Sequence, residues 1–174
     1  MKMLVLFAMI LILFAFPSTV LADVAPPYFP PGSNPQPDTD TTDVQMTAET
    51  VLIEVQNDTR AESLASARIT ADFTVLNSGT GEEDMAVRFP ISIENGRGEY
   101  PEIADIAVKV NGRQIPYRQV KYPDPRYQDV EIPWAEFDVK FPAGLETAIQ
   151  VTYNLQGTGY PPYTAFYYIL ETGA

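Results

Sequence analysis

Three patterns predict an all-β protein built as an antiparallel β-sandwich. Apolar and polar residues alternate along residues 67–75, so a strand there has one buried and one solvated face. The same alternation recurs in later segments, and turns rich in Gly, Asn and Pro separate them. No helical period follows residue 22. We expect an immunoglobulin- or fibronectin-like topology, with a jelly roll as the alternative.

Residues 1–22 have the order of a secretory signal peptide. Lys2 precedes an almost unbroken apolar run over residues 3–16, and small residues lead to a cleavage site between Ala22 and Asp23. The run is shorter than the roughly 20 apolar residues that a membrane-spanning helix needs. Cleavage is therefore favoured over retention as an anchor. We expect a secreted or cell-envelope protein with no membrane span in the mature chain.

Residues 23–43 are predicted to be a disordered spacer before a β-sandwich domain at residues 44–174. Six of the chain's 16 prolines lie in this segment, and proline fixes φ and removes a backbone donor. Asp38, Asp40 and Asp43 have the superficial spacing of a calcium loop. They lack the glycine and the distal glutamate of an EF-hand, so a solvated linker is the better interpretation.

The composition excludes several kinds of chemistry. The 174 residues include no cysteine and no histidine, which excludes disulfides, thiol catalysis, Ser-His-Asp triads and the usual zinc sites. The net charge of −12 disfavours nucleic acid and anionic membrane surfaces as partners. We expect no cofactor and no metal site, and an unknown protein or glycan partner outside the cytoplasm.

The first strands are predicted from parity and turn signals. Residues 44–55 read as a strand whose apolar parity changes at Glu49 and Thr50, which predicts a β-bulge or a strand break. The strand at residues 67–75 ends in a turn at residues 77–81. Residues 85–91 follow as its predicted partner in a central hairpin.

Asn111-Gly112 predicts a two-residue type I′ hairpin, because both turn positions of that turn require positive φ. The adjoining runs are residues 106–110 and 113–117. The predicted register pairs Val110 with Arg113, Val108 with Ile115, and Ile106 with Tyr117.

The second half of the domain is predicted to contain another hairpin. Residues 122–127 read as a proline-rich connector, and residues 130–141 and 145–155 as two strands joined by a turn at residues 142–144. Glu136 and Asp138 are assigned to the solvent face of the first of these strands. The last apolar run, residues 166–170, fits either an ordinary final strand or a domain truncated at its C-terminus.

Four short motifs describe strands and turns in one order: residues 46–53 after the acidic spacer, then 73–77, 85–90 and 110–112. Through them, the chain resembles an uncharacterised family of exported bacterial β domains over residues 44–153. The resemblance implies a β domain that is often one part of a longer exported chain. It implies no catalytic residues.

A non-catalytic extracytoplasmic interaction or structural module is the first functional hypothesis. The alternative is a carbohydrate-binding or carbohydrate-processing domain, because flat aromatic rings offer contact area at low entropic cost. That alternative requires at least two of its candidate side chains to be exposed and coplanar. The candidates are Tyr122, Tyr127, Trp134, Tyr160 and Tyr163.

Overall fold

The computed structural model describes residues 36–37, 42–56, 64–91, 103–123, 131–157, 159, 163–166 and 168. The predicted leader, its cleavage site at Ala22 and Asp23, and most of the spacer lie outside these residues. No helix in the described ranges is long and apolar enough to cross a membrane. The strands are β1 Gln36–Pro37, β2 Val44–Gln56, β3 Ser66–Asn77, β4 Glu83–Pro90, β5 Ile103–Val110, β6 Arg113–Ile115, β7 Arg118–Pro123, β8 Glu131–Phe141 and β9 Glu146–Gln156.

The strands form two antiparallel sheets. The four-stranded sheet has the order β1-β4-β8-β7, and the five-stranded sheet has the order β2-β3-β9-β5-β6. The first strand is a two-residue segment of the predicted spacer, in which Gln36 pairs with Arg88 and Pro37 with Val87. The disordered spacer at residues 23–43 stays a prediction.

One hydrophobic core lies between the sheets, as in a β-sandwich. All five apolar residues of the 67–75 pattern are buried in it, and both sheets contribute further side chains. The rings of Phe89 on β4 and Tyr153 on β9 lie with their centroids 5.7 Å apart, so side chains of the two sheets meet directly. The predicted all-β, two-sheet architecture is confirmed.

The immunoglobulin- or fibronectin-like subtype is not confirmed. In the immunoglobulin order ABED and CFG, strand E lies beside B and strand F lies beside C, and E precedes F along the chain. Here β3 and β4 occupy the places of B and C, but β9, beside β3, follows β8, beside β4. The jelly-roll alternative stays a prediction.

The Asn-Gly hairpin is confirmed. Asn111 and Gly112 have φ of 49° and 76°, as a type I′ turn requires. Val110 pairs with Arg113, and Val108 pairs with Ile115. The predicted third pair, Ile106 with Tyr117, is wrong, because β6 ends at Ile115 and the chain then leaves this sheet.

The predicted bulge in the first long strand is also confirmed, at a slightly earlier position. The register of β2 against β3 shifts between Met46 and Ala48 rather than at Glu49. The extra residue changes which parity faces the core, so Met46 and then Val51 pack against it. The strand stays in one sheet throughout.

Both long predicted hairpins are wrong. β3 pairs with β2 and β9, whereas β4 pairs with β1 and β8, so the turn after β3 carries the chain into the opposite sheet. The turn after β8 does the same, because β9 lies beside β3. Both turns are therefore crossovers between the sheets, and they lie at the same end of the sandwich.

Asn77 joins the two crossovers to each other. Its side-chain Nδ2 donates to Phe141 O at 2.8 Å and to Gly81 O at 2.9 Å, and its Oδ1 accepts from Gly79 N at 2.8 Å. Its backbone N donates to Leu145 O at 3.2 Å, and its backbone O accepts from Gly144 N at 2.8 Å. One fully buried residue therefore holds both crossovers side by side.

Gly79 lets the first crossover pass close to the start of β2. A Cβ at this position would lie 2.6 Å from the Asp43 carboxylate and 3.0 Å from Asn77 Oδ1. Ser78 N also donates to Asp43 O at 3.0 Å. A larger residue at position 79 would displace these contacts.

We expect Asn77→Ala to destabilise the protein by about 3 kcal/mol, because it leaves buried backbone groups of both crossovers without partners. Chemical denaturation measures the change. Asn154→Ala, which removes a half-buried amide on the outer face of β9, is the control and should cost about 1 kcal/mol or less. Equal losses for the two variants would contradict the role given to Asn77.

In contrast to Asn77→Ala, Thr147→Val should stabilise the protein. Thr147 is 0% exposed, and its hydroxyl has no hydrogen-bond partner in the part of the chain that the structure describes. Replacing the hydroxyl by a methyl group removes the cost of burying an unpaired polar atom. We expect a gain of about 1 kcal/mol in the free energy of unfolding. A loss of stability in the same denaturation experiment would refute this expectation.

Candidate functional site

A charged cluster lies on the outer face of the four-stranded sheet. Glu136, on β8, is directly opposite Arg88 on β4 and directly opposite Arg118 on β7. Paired residues of neighbouring strands share a face, so the three side chains form a row of alternating charge. Two further side chains of this face, Tyr122 and Asp138, complete the cluster.

Both oxygens of the Glu136 carboxylate are occupied. Arg88 Nε and Tyr122 OH each donate to Oε2 at 2.8 Å. Arg118 Nε donates to Oε1 at 2.8 Å, and Arg118 Nη2 forms an ion pair with the same oxygen at 2.6 Å. Arg118 also donates to the Asp138 carboxylate, with Nη1 3.0 Å from Oδ2. The guanidinium of Arg88 lies 3.9 Å above the centroid of the Tyr122 ring, within the range of a cation–π contact.

The protonation behaviour of Glu136 follows from these contacts. Burial alone would raise the pKa of Glu136, but the hydrogen bonds from Arg88, Tyr122 and Arg118 outweigh it and hold the pKa below its usual value. The same hydrogen bond to Glu136 raises the pKa of Tyr122. At neutral pH, Glu136 is therefore an ionised acceptor and Tyr122 a neutral donor. This arrangement cross-links β4, β7 and β8 and does not poise the carboxyl as a general acid.

The sequence-based assignment of Glu136 to a solvent face is wrong. Glu136 is 4% exposed, and Ile132 and Trp134 on the same face of β8 are 1% and 7% exposed. Asp138, two positions further along, is exposed as predicted. A signal was available, because residues 132–135 are apolar on both parities, which is typical of a strand buried on both faces.

Three of the five candidate aromatic side chains lie within the described residues. Trp134 is buried, and Tyr122 is half-buried beneath Arg88 with its hydroxyl bound to Glu136. Tyr163 is 80% exposed. Tyr127 and Tyr160 lie outside the described residues. Of the three candidates that can be located, the structure therefore leaves one available for stacking.

The acidic turn between β3 and β4 is engaged within the fold. Lys140 Nζ lies 2.6 Å from Asp84 Oδ2 and 3.7 Å from Glu82 Oε1. Glu83 accepts hydrogen bonds from Thr42 Oγ1 at 2.6 Å and from Asp43 N at 3.0 Å. Among the described residues, no three potential metal ligands come together. Glu83 therefore holds the start of β2 against the first crossover, whereas Glu82 and Asp84 pair with Lys140 of β8.

A second polar contact anchors the segment after β9. Tyr168 OH donates to Glu49 Oε1 at 2.6 Å, and Phe166 and Tyr168 pack against the core. Burial, followed by the hydrogen bond to Glu49, raises the pKa of Tyr168. Burial also raises the pKa of Tyr153, which is fully buried. Both phenols therefore stay protonated and serve packing.

Glu136→Gln should destabilise the protein by about 2 kcal/mol at neutral pH. Removing the charge of a buried ion pair costs several kcal/mol, and the half-exposed Arg118 reduces that cost through solvent screening. Asp138→Asn is the matched control on the same strand. Its side chain is 67% exposed, so the loss should be about 0.5 kcal/mol or less.

The same pair of variants tests the pH dependence. Because the pKa of Glu136 is lowered in the folded state, its contribution is present above its usual value of 4.5 and is lost as the pH falls through the folded value. As the pH falls below 4.5, thermal unfolding should therefore show a shallower loss of stability for Glu136→Gln than for the wild type. Parallel curves would show that Glu136 does not carry this linkage.

Comparison with known proteins identifies the architecture only. No protein-family model and no curated protein matches the chain. A crystal structure from Legionella pneumophila subsp. pneumophila, provisionally described as a nutrient binding protein, is similar with a TM-score of 0.66 and 22% sequence identity. The match covers 80% of this chain and 48% of that one, so the chain spans about half the length of this neighbour. The two proteins share a fold over this region.

Proposed function

We propose that this chain is a non-catalytic, extracytoplasmic interaction or structural module built on a two-sheet β scaffold. The proposal depends on the observation that both carboxylate oxygens of Glu136 already accept hydrogen bonds from neighbouring side chains. The carboxylate is buried and charged, and its two oxygens accept from three surrounding side chains. A general acid or base needs a free position and a pKa near the working pH, and Glu136 has neither.

A binding role is supported by the neighbouring fold and by the contacts that hold the side chains of the cluster. The similar structure is provisionally described as a nutrient binding protein. On this chain, the cluster presents Arg118, 51% exposed, and Asp138, 67% exposed, at fixed positions on the outer face of the four-stranded sheet. Side chains held by second contacts lose less entropy when they engage a partner. We therefore place the binding surface of the proposal on this face.

The extracytoplasmic part of the proposal depends on the leader at residues 1–22. Its basic start, apolar run and small residues before Asp23 are the features of a cleaved signal peptide. N-terminal sequencing of the protein recovered from an expressing bacterium tests this directly. A mature terminus at Asp23 in the envelope or medium supports the proposal, and an intact leader on intracellular protein opposes it.

Among the candidates that the structure describes, Tyr163 is the one that supports the carbohydrate alternative, and Tyr127 and Tyr160 stay candidates outside the described residues. Trp134 is 7% exposed, whereas Tyr163 is 80% exposed. We expect Trp134→Ala to cost about 3 kcal/mol of stability, as for other buried aromatic residues, and Tyr163→Ala to be nearly neutral. Denaturation of both variants checks this. A stable Trp134→Ala protein would restore Trp134 as a candidate platform.

A thermal-shift titration tests the function itself. The full chain is heated with amino acids, short peptides, dicarboxylates or oligosaccharides, since a ligand of the folded state at about 100 times its Kd adds about 2.7 kcal/mol of stability. Arg118→Ala should abolish a shift that arises at the cluster. Lys109→Ala, on the outer face of the other sheet, should retain it. A shift seen only with oligosaccharides and lost in Tyr163→Ala would favour the carbohydrate alternative.

Turnover of glycoside or ester substrates is the outcome that opposes a non-catalytic module. Purified wild-type protein should release no product above the rate of a heat-denatured sample. Activity that disappears in Glu136→Gln, while Asp138→Asn keeps it, would assign Glu136 to catalysis and overturn the proposal.

A further inference from the structure

The four sheet edges of the sandwich differ in how they are protected. β1 has two residues and includes Pro37, and β6 has three residues and begins with Arg113. β7 carries basic residues and ends at Pro123. Short length, charge and proline are the features that keep an edge strand from pairing with another chain. Three edges therefore carry such protection.

The fourth edge, β2, is long and apolar at its C-terminal half. β2 has 13 residues, and within the described strands it pairs only with β3. Leu52, Ile53 and Val55 are 54%, 40% and 59% exposed. They are three of the six large hydrophobic side chains exposed among the described residues, and they lie within four positions of one strand. Glu54 is the one charge in residues 50–56.

We propose that this edge of β2 is a homodimer interface, in which two copies pair antiparallel through residues 50–56 around a two-fold axis at Ile53 and join their five-stranded sheets. A two-fold interface uses the same surface on both copies, so the strand must be complementary to itself. Residues 50–56 meet that requirement in one register.

In this register, Ile53 lies opposite Ile53 of the other copy, and Val51 lies opposite Val55 of the other copy. These residues share the core-facing side of the sheet, where Val51 already packs against the core. On the outer side, Glu54 faces Leu52, so no like charges are directly opposite. The dimer therefore extends the apolar row of each copy into that of the other.

The neighbouring registers are worse. Residues directly opposite each other on antiparallel strands must share a face. The two nearest alternatives therefore move the two-fold axis by one residue, to Glu54 or to Leu52. One shift places Glu54 opposite Glu54 of the other copy, which repels. The other places Glu49, which is engaged by Tyr168, opposite Val55. The pairing centred on Ile53 avoids both.

Charge gives the dimer a distinctive salt dependence. Each chain carries a net charge of −12, so two copies repel one another at low ionic strength. Salt screens that repulsion, with a Debye length of about 10 Å at 0.1 M and about 3 Å at 1 M. Dimerisation should therefore strengthen as the salt concentration rises, as expected for an interface held by backbone hydrogen bonds and apolar contacts.

Sedimentation equilibrium of the full chain tests the state. We expect a reversible dimer for the wild type and a monomer for Ile53→Lys, which places two cations face to face at the axis. Leu145→Lys is the matched control, because Leu145 is 58% exposed at the crossover end of the sandwich, and it should remain dimeric. If Ile53→Lys fails to fold, Val55→Lys takes its place.

Disulfide trapping tests the register. The chain has no cysteine, so a single introduced cysteine can pair only with another copy. Directly paired residues of antiparallel strands have Cα atoms about 4.5–5.5 Å apart, within the range of disulfides. Ile53→Cys should form a covalent dimer rapidly under mild oxidation. Leu52→Cys and Leu145→Cys should not.

The remaining outcomes contradict the proposal. A wild type that stays monomeric at all salt concentrations overturns it. So does a dimer that persists in both Ile53→Lys and Val55→Lys. A wild type that binds a synthetic peptide of residues 50–56 but does not itself dimerise would show that the edge of β2 pairs with a strand of another protein. Open-ended oligomers in place of a dimer would identify it as an aggregation site.

Discussion

The hydrogen bonds of Asn77 are the contacts on which the arrangement of the two sheets depends. They join the crossover after β3 to the crossover after β8, so that β3 lies beside β9 while β4 lies beside β8. A buried side chain whose every polar group is paired tolerates few alternatives, because any other arrangement leaves some of these groups unsatisfied. The apolar residues provide most of the driving force, and Asn77 favours the arrangement in which its polar groups are paired.

Much of the strand content could be predicted from the sequence. The two-residue period located the long strands and their buried faces, because burial of one face is a local property of each strand. The Asn111-Gly112 turn also predicted its pairing, since a two-residue loop leaves one register available. The parity change in β2 predicted a bulge for the same local reason.

Strand partners could not be predicted in the same way. The segments at residues 77–81 and 142–144 indicate where the chain turns, but a turn can return to the same sheet or cross to the other. That choice depends on contacts such as Asn77 with Phe141, which are 64 residues apart. β7 was missed because its residues 118–123 include few apolar side chains and end in proline, and it exists as a strand through its pairing with β8.

The burial of the outer face of β8 could not be predicted for a related reason. Alternation treats each strand alone and assigned Glu136 to water, whereas arginines on both neighbouring strands surround it. Trp134 is a candidate from the sequence because flat aromatic rings offer contact area at low entropic cost, but it lies on the same buried face. The burial of these residues and the identity of their partners depend on neighbouring segments as well as on β8.

The registers of β2, β3 and β9 also determine how the domain carries a load. Residue 44 lies opposite residue 77, and residue 156 lies opposite residue 66, so the chain enters the five-stranded sheet at one end and leaves β9 at the other. Tension between these two points acts along the strands. It shears all the register pairs of β2 with β3 together instead of unzipping them one at a time. The contacts of Glu83 with Thr42 and Asp43 place the point of entry beside the crossovers that Asn77 holds together. A force applied at residues 44 and 156 themselves would therefore load the backbone pairs of β2 with β3 in shear.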